Sequence, residues 1–222
     1  ELAVDALIHL NQQPIDDVVP KGVGEYTEDR LLEEVDRLHV WYLPLVNAQP
    51  IAQSALQAYT DVWREILPQA WSVPLSLVLF DYHVDNLLLL PDRSGVAACG
   101  LLDFQDGVRG PVTYDLMSLL EDARRDIEPA LVNAMKDKYL SAFPTIDRDS
   151  FHTSWTIMAA QRHVRVIGTF ARLKLRDGKP HYLGHMPRLW RYMDNCLLHP
   201  ALGPLKLWLD ENVPLPLRQV PQ

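Results

Sequence analysis

Cysteine is nearly missing from this sequence: 222 residues contain two, Cys99 and Cys196, and neither sits in a CxxC pair. That excludes a disulfide framework and makes a reducing compartment the default. No apolar run approaches the roughly 20 residues that a membrane-spanning helix needs. The opening ELAVDALIHLNQQP carries acids where a secretory leader has a basic stretch. A cytoplasmic protein without a membrane partner is expected. Positive charge is also scarce: the formal net charge is −8, which disfavours a general nucleic-acid binder. Glycine is sparse, with 10 residues, and Lys21-Gly22-Val23-Gly24 is the one glycine-rich stretch. It lacks the GK[ST] ending and a preceding strand, so it reads as a solvated loop and not a phosphate cradle.

What is present is an ordinary globular composition, 48% apolar and 23% charged, long enough for a substantial core. The charge is unevenly spread. Residues 1–150 hold 11 Lys/Arg against 25 Asp/Glu, net −14, and residues 151–222 hold 10 against 4, net +6. The first residue is Glu1 rather than Met, and the chain is expected to be part of something longer.

Apolar spacing predicts a short amphipathic helix over 2–10, a loop over 14–26, a helix from the Thr27 N-cap region to about 42, and another over 50–67. The texture then changes. Leu75–Phe80, Leu87–Leu90 and Val96–Leu102 are short apolar runs separated by DYHVDN and PDRSG, and read as buried strands. Helices are expected again near 112–124, 127–142, 149–175, 184–198 and 202–211. The expected fold class is α+β, mostly helical with a small central β-hairpin element.

Two segments could do chemistry: Leu79-Phe80-Asp81-Tyr82-His83-Val84-Asp85-Asn86 and Leu101-Leu102-Asp103-Phe104-Gln105-Asp106. A carboxylate directly after a buried strand is costly unless it caps a turn, pairs with a cation or binds a metal. Asp81 and Asn86, five apart in one turn, can point into one cleft, and Asp103 can join them from the next strand end. That set suits magnesium-dependent phosphoryl transfer, because Mg²⁺ takes oxygen ligands and keeps waters and phosphate oxygens in its shell. A second carboxylate would take the proton of the attacking hydroxyl. The competing reading is plain: single aspartates after strands are mostly turn residues, and Asp-x₄-Asn arises by chance.

The stretch from Leu77 to Asp126 resembles the catalytic core of the aminoglycoside phosphotransferase, or phosphotransferase-enzyme, family. More narrowly, LLDFQDGVRGPVTYDLMSLLEDARRD and QRHVRVIGTFARLKLRDGKPHYL resemble bacterial anomeric sugar kinases acting on N-acetylmuramate and N-acetylglucosamine. The resemblance implies a protein-kinase-like fold, with residues 1–222 forming a single catalytic and acceptor-binding C-terminal lobe. It implies ATP and Mg²⁺ as cofactors, and a nucleotide and a small-molecule acceptor as partners. Asp81 would be the catalytic base, Asn86 and Asp103 the metal ligands, and Asp115 an acid that holds the catalytic loop by hydrogen bonds. The family's β-sheet lobe with its glycine-rich loop and lysine has no counterpart in the 80 residues before Asp81; this missing N-terminal lobe would be a partner from the same protein. A second departure is Leu79-Phe80, where the family places His or Arg followed by Gly or Arg.

Several other features carry paired readings. Asp106 and Arg109 read as acceptor contacts or as a local salt bridge. Arg162, His163, Arg165, Arg172, Lys174, Arg176 and Lys179 form a basic stretch that reads as a charged helix face. Functionally it would be a cleft wall, with Arg162 and His163 as acceptor contacts. The tryptophans and tyrosines recur at helical intervals and read mostly as core, with Trp155 and Trp190 as candidates to stack on a sugar ring. His83 and Asp85 form an H-x-D that, without further His or Cys at metal spacing, reads as turn residues beside the catalytic loop; a metal-dependent hydrolase is the rival that would use it. The rival to a kinase is a degenerate, non-catalytic kinase-like binding module.

Overall fold

The computed structural model describes residues 1–46 and 49–220. The chain divides into two compact units, one built from Glu1–Tyr26 and Ala70–Trp155, the other from Thr27–Gln69 and Thr156–Gln222.

The first unit opens with helix α1 (Leu2–Asn11), which buries Val4 and Leu7, one turn apart. Lys138 reaches Asp5 at 2.6 Å and Asn11 Nδ2 donates to the Tyr139 hydroxyl at 2.8 Å, which seats α1 on α7 (Pro129–Ala142). A helical turn, α2 (Ile15–Val18), interrupts the expected loop. Four short strands follow: β1 (Leu75–Val78), β2 (Leu87–Leu89), β3 (Cys99–Leu101) and β4 (Val108–Pro111). They form two antiparallel ladders, β1 with β4 and β2 with β3. The register pairs Val78 with Val108 and Leu87 with Leu101. On its other side β4 takes residues 24–26: Tyr26 N–H donates to Arg109 O, and Arg109 N–H to Gly24 O, each at 2.9 Å. Helix α6 (Thr113–Leu120) is buried at every residue. Its polar Thr113 is satisfied by a chain in which the Thr113 and Ser154 hydroxyls lie 2.7 Å apart and Ser154 donates to Ala70 O.

The second unit holds α3 (Glu28–Val35), capped by the Thr27 hydroxyl accepting from Arg30 N–H, then a π-turn over Leu38–Tyr42 and the turn α4 (Leu43–Leu45). Helix α5 (Gln53–Ile66) packs on α10 (Gly203–Asn212), with Trp208 Nε1 donating to Ala55 O at 2.8 Å. Helix α8 (Arg148–Leu175) passes from the first unit into the second, and α9 (Met186–Cys196) follows a 3₁₀ stretch. The long-helix expectations agree with these elements. Strand β4 was not anticipated, and Gly95–Ala98, which overlaps the start of the third apolar run, forms a 3₁₀ turn ahead of β3.

Candidate active site

The first unit carries the site. Chain leaving β1 turns at once: Asp81 N–H donates to Leu79 O at 3.0 Å and His83 N–H to Asp81 O at 3.1 Å. Phe80, between them, has φ +75°, a left-handed conformation that an aromatic residue adopts at a cost of about 1–2 kcal/mol. Two contacts hold it there. Asp115, in the first turn of α6, accepts from Leu79 N–H at 2.6 Å and from Phe80 N–H at 3.1 Å. The Phe80 ring stacks on Tyr114 at 5.4 Å and meets the edge of Tyr26 at 5.3 Å, while Tyr26 and Tyr114 are themselves 5.5 Å apart. Each such aromatic pair is worth about 0.5–1.5 kcal/mol beyond burial, enough to offset the strain. The bulky residue at a position where the family has a small or basic one is therefore built into the core.

The loop closes on itself. Asn86 Nδ2 donates to Asp81 O at 3.0 Å and lies 3.4 Å from His83 Nε2. Asp81 is half-buried, and among the described residues nothing donates to its carboxylate.

Asp103 arrives at the same end of the second ladder. Leu102 N–H donates to Asn86 O at 2.9 Å, adding one rung beyond the Leu87–Leu101 pair. Asp103 also has positive φ, +58°; Phe80 and Asp103 are the two described non-glycine residues in that region, and such strain gathers at functional loops. Gln105 Nε2 donates to Asp103 Oδ1 at 2.8 Å. Gly107 then lets the chain close against β1: a Cβ there would lie 3.1 Å from Phe104 O and 3.2 Å from Val78 O. The 79–86 and 102–107 segments thus emerge side by side.

The donors fit a hard cation. Both expected ligands offer oxygen: the Asp103 carboxylate, and the Asn86 amide, whose NH₂ is committed to Asp81 O, leaving Oδ1 free to coordinate.

The remaining expectations divide. Asp106 is exposed, in the same loop as Asp103. Arg109, on β4, lies 3.7 Å from Glu25, both exposed, an ion pair with a residue distant in sequence and not with Asp106. Asp85 is spoken for: Arg125 Nη2 donates to it at 2.7 Å and Arg124 Nε lies 3.6 Å away. Both arginines also meet Asp122, which is fully buried. His83 turns to Asn86 and Asp85 to the arginines, so the H-x-D pair does not form a ligand set. Sequence reasoning passed over Arg124 and Arg125, whose signal was a doubled arginine just after Tyr-Asp-Leu and its helix. Arg162 and His163 belong to the second unit and are 3% and 0% exposed. His163 stacks on Tyr192 at 5.3 Å. Arg165 Nε lies 3.9 Å from buried Glu34. This part of the basic stretch is packed and not a solvated helix face. Trp155 and Trp190 are core: the indole N–H of Trp155 goes to Glu121 and that of Trp190 to the Tyr42 hydroxyl.

Residues 1–152 match the Phosphotransferase enzyme family. The N-acetylmuramate/N-acetylglucosamine kinase of Caulobacter vibrioides is 35% identical across 99% of this chain and 61% of that protein. The protein of the same name from Pseudomonas putida is 32% identical across 88% of this chain and 57% of that one. The chain therefore spans about three fifths of the length of these curated relatives. Among solved structures, a choline/ethanolamine kinase family protein from Mesorhizobium loti superposes with a TM-score of 0.56 at 14% identity, over 94% of this chain and 65% of that one. It shares the fold.

Proposed function

Since the chain belongs to the phosphotransferase enzyme family, we propose that it is the catalytic and acceptor-binding lobe of a small-molecule kinase. The reaction is transfer of the γ-phosphoryl group of ATP to a hydroxyl of a sugar-like acceptor. The names of the relatives point to N-acetylmuramate or N-acetylglucosamine, and the narrower sequence resemblance to their anomeric hydroxyl. The nucleotide-binding lobe is assigned to chain outside these 222 residues.

The observation that carries this reading is Asp81: a half-buried carboxylate with no described donor, on a loop pinned by Asp115, at the ladder end it shares with Asn86 and Asp103. Asp81 accepts the proton of the attacking hydroxyl, a role worth about 10²–10⁴ in rate. Asn86 Oδ1 and the free Asp103 oxygen would hold Mg²⁺, which would supply neutralisation of charge on the phosphate oxygens. Asp115 keeps the loop in register and touches no substrate. Leu88 and Leu102 stand on the same hairpin face as Asn86, 46% and 47% exposed, an apolar strip beside the phosphate site that suits a nucleobase. Asp106 and Arg109, on the loop and strand that follow Asp103, are the acceptor contacts in this reading, Arg109 exchanging its Glu25 partner for the acceptor.

In the full-length enzyme, Asp81→Asn and Asp103→Asn are expected to lower ATP-dependent phosphorylation of N-acetylmuramate by at least about 10²-fold, measured as ADP release. Wild-type rates in either variant would sink the assignment. A binding module without turnover would instead show acceptor binding unaltered by Asp81→Asn and no ADP at all.

A further inference from the structure

Behind the catalytic loop, on the side of α1, lies a cavity of about 310 Å³. Its walls are Leu7 and Leu10 of α1, Val96 of the 3₁₀ turn, Leu101 of β3, and Leu79 and Tyr82 of the loop. We infer that this cavity is a binding site for a small, neutral, mainly apolar molecule whose occupancy bears on the loop that carries Asp81.

Size and lining define the occupant. An aliphatic cavity of roughly 150 Å³ takes benzene, so twice that volume suits a fused bicyclic or a branched ring compound. No Asp, Glu, Lys or Arg lines it, which disfavours an ion on desolvation grounds. Polar groups sit at the edge: His9 and Gln13, exposed and one turn apart on the α1 side, are placed to meet a single hydroxyl or carbonyl. The loop would sense an occupant directly, because Leu79 and Tyr82 flank Phe80-Asp81. Leu79 N–H is held by Asp115, and the Tyr82 hydroxyl donates to Ala3 O of α1 at 2.8 Å. A molecule wedged between α1 and these side chains braces both anchors of the loop. This inference concerns binding and stands apart from the reaction assigned above.

Cys99 provides a reporter, since it lines the cavity and is partly exposed, whereas Cys196 is buried elsewhere and serves as the internal reference. The test is alkylation of the chain by iodoacetamide, read thiol by thiol by peptide mass spectrometry, with 2-naphthol as the probe and erythritol as a polar control. At 2-naphthol about ten times its dissociation constant, Cys99 alkylation is expected to slow about tenfold, saturably, with erythritol without effect. Ala6→Trp and Val96→Trp each place an indole in the cavity and are expected to abolish the protection by 2-naphthol. The inference is overturned if 2-naphthol gives no saturable slowing, if erythritol slows Cys99 equally, or if protection survives in whichever tryptophan variants fold.

Discussion

Phe80 shows how one residue can be strained and structural at once. Its left-handed backbone is tolerated because Asp115 accepts both adjoining N–H groups and two tyrosine rings fix the side chain. Removing the acceptor leaves two buried donors unsatisfied, each costing about 1–3 kcal/mol. Asp115→Ala is therefore expected to destabilise the chain by about 2–4 kcal/mol, read as a lower urea midpoint. Phe80→Gly, which relieves the φ strain, is expected to lower the further cost of that change in a double-mutant cycle. That Asp81, Asn86 and Asp103 come to neighbouring strand ends was legible in the sequence, because acids and amides straight after apolar runs need an explanation. The role of Phe80 was not, because a side chain's identity does not disclose its own φ. Arg124 and Arg125 escaped notice for another reason: their partner, Asp85, lies about 40 positions away in sequence.

Helices were the readable elements. Their 3.6-residue apolar spacing survives in one sequence, and α7, α8 and α10 lie within a few residues of expectation. Strand β4 escaped because Val108-Arg109-Gly110-Pro111 has the composition of a turn; its pairing is supplied by β1 and residues 24–26 from either side. Gly110 fits there since a Cβ would lie 3.1 Å from a Val78 methyl. The helix expected to run to Tyr42 changes to a π-turn after Val35. That change falls where α8 crosses: a Cβ on Gly168 would collide with the carbonyl carbon and oxygen of Arg37, whose Nη1 donates to Thr169 at 3.1 Å. Backbone cannot swing aside as a side chain can. Gly168→Ala, a change that favours helix by propensity, is instead expected to destabilise by about 1–3 kcal/mol through overpacking, and thermal melting would show it.

Across the whole molecule, the uneven charge takes on a different meaning. Basic residues of the C-terminal third are partly consumed inside the second unit: Arg165 beside Glu34, and Arg218 on Asp194 at 3.1 Å and Asp210 at 2.7 Å. Arg218 belongs to a strap formed by the final turns. The Tyr42 hydroxyl bonds Leu217 O at 2.5 Å and Gln219 O at 3.0 Å and accepts from Trp190 Nε1, joining positions 175 apart. Burial, opposed by the hydrogen bonds with Trp190 and Gln219 and by Arg218, raises the Tyr42 phenol from 10.0 to about 12. The folded state thus favours the protonated phenol. Its contribution is complete below about pH 10 and is lost as pH climbs through about 12. Wild type is expected to lose on the order of 2 kcal/mol across that window, and Tyr42→Phe to show a flatter alkaline limb in pH-dependent unfolding. Exposed Lys174 and Lys179, by contrast, remain in solvent.

The interleaved make-up of the two units also sets an order of assembly during synthesis. The first unit draws on residues 1–26 and 70–155, so every residue around Asp81, Asn86, Asp103 and Asp115 has been made once Trp155 is added. The second cannot finish until residues 156–222 join 27–69. At roughly 5–20 residues per second that delay is about 3–13 s. For that interval the nascent chain carries a completed loop scaffold while residues 27–69, its long excursion, wait with their apolar helices unpaired. The vulnerable interval therefore falls on the unit that holds none of Asp81, Asn86 and Asp103.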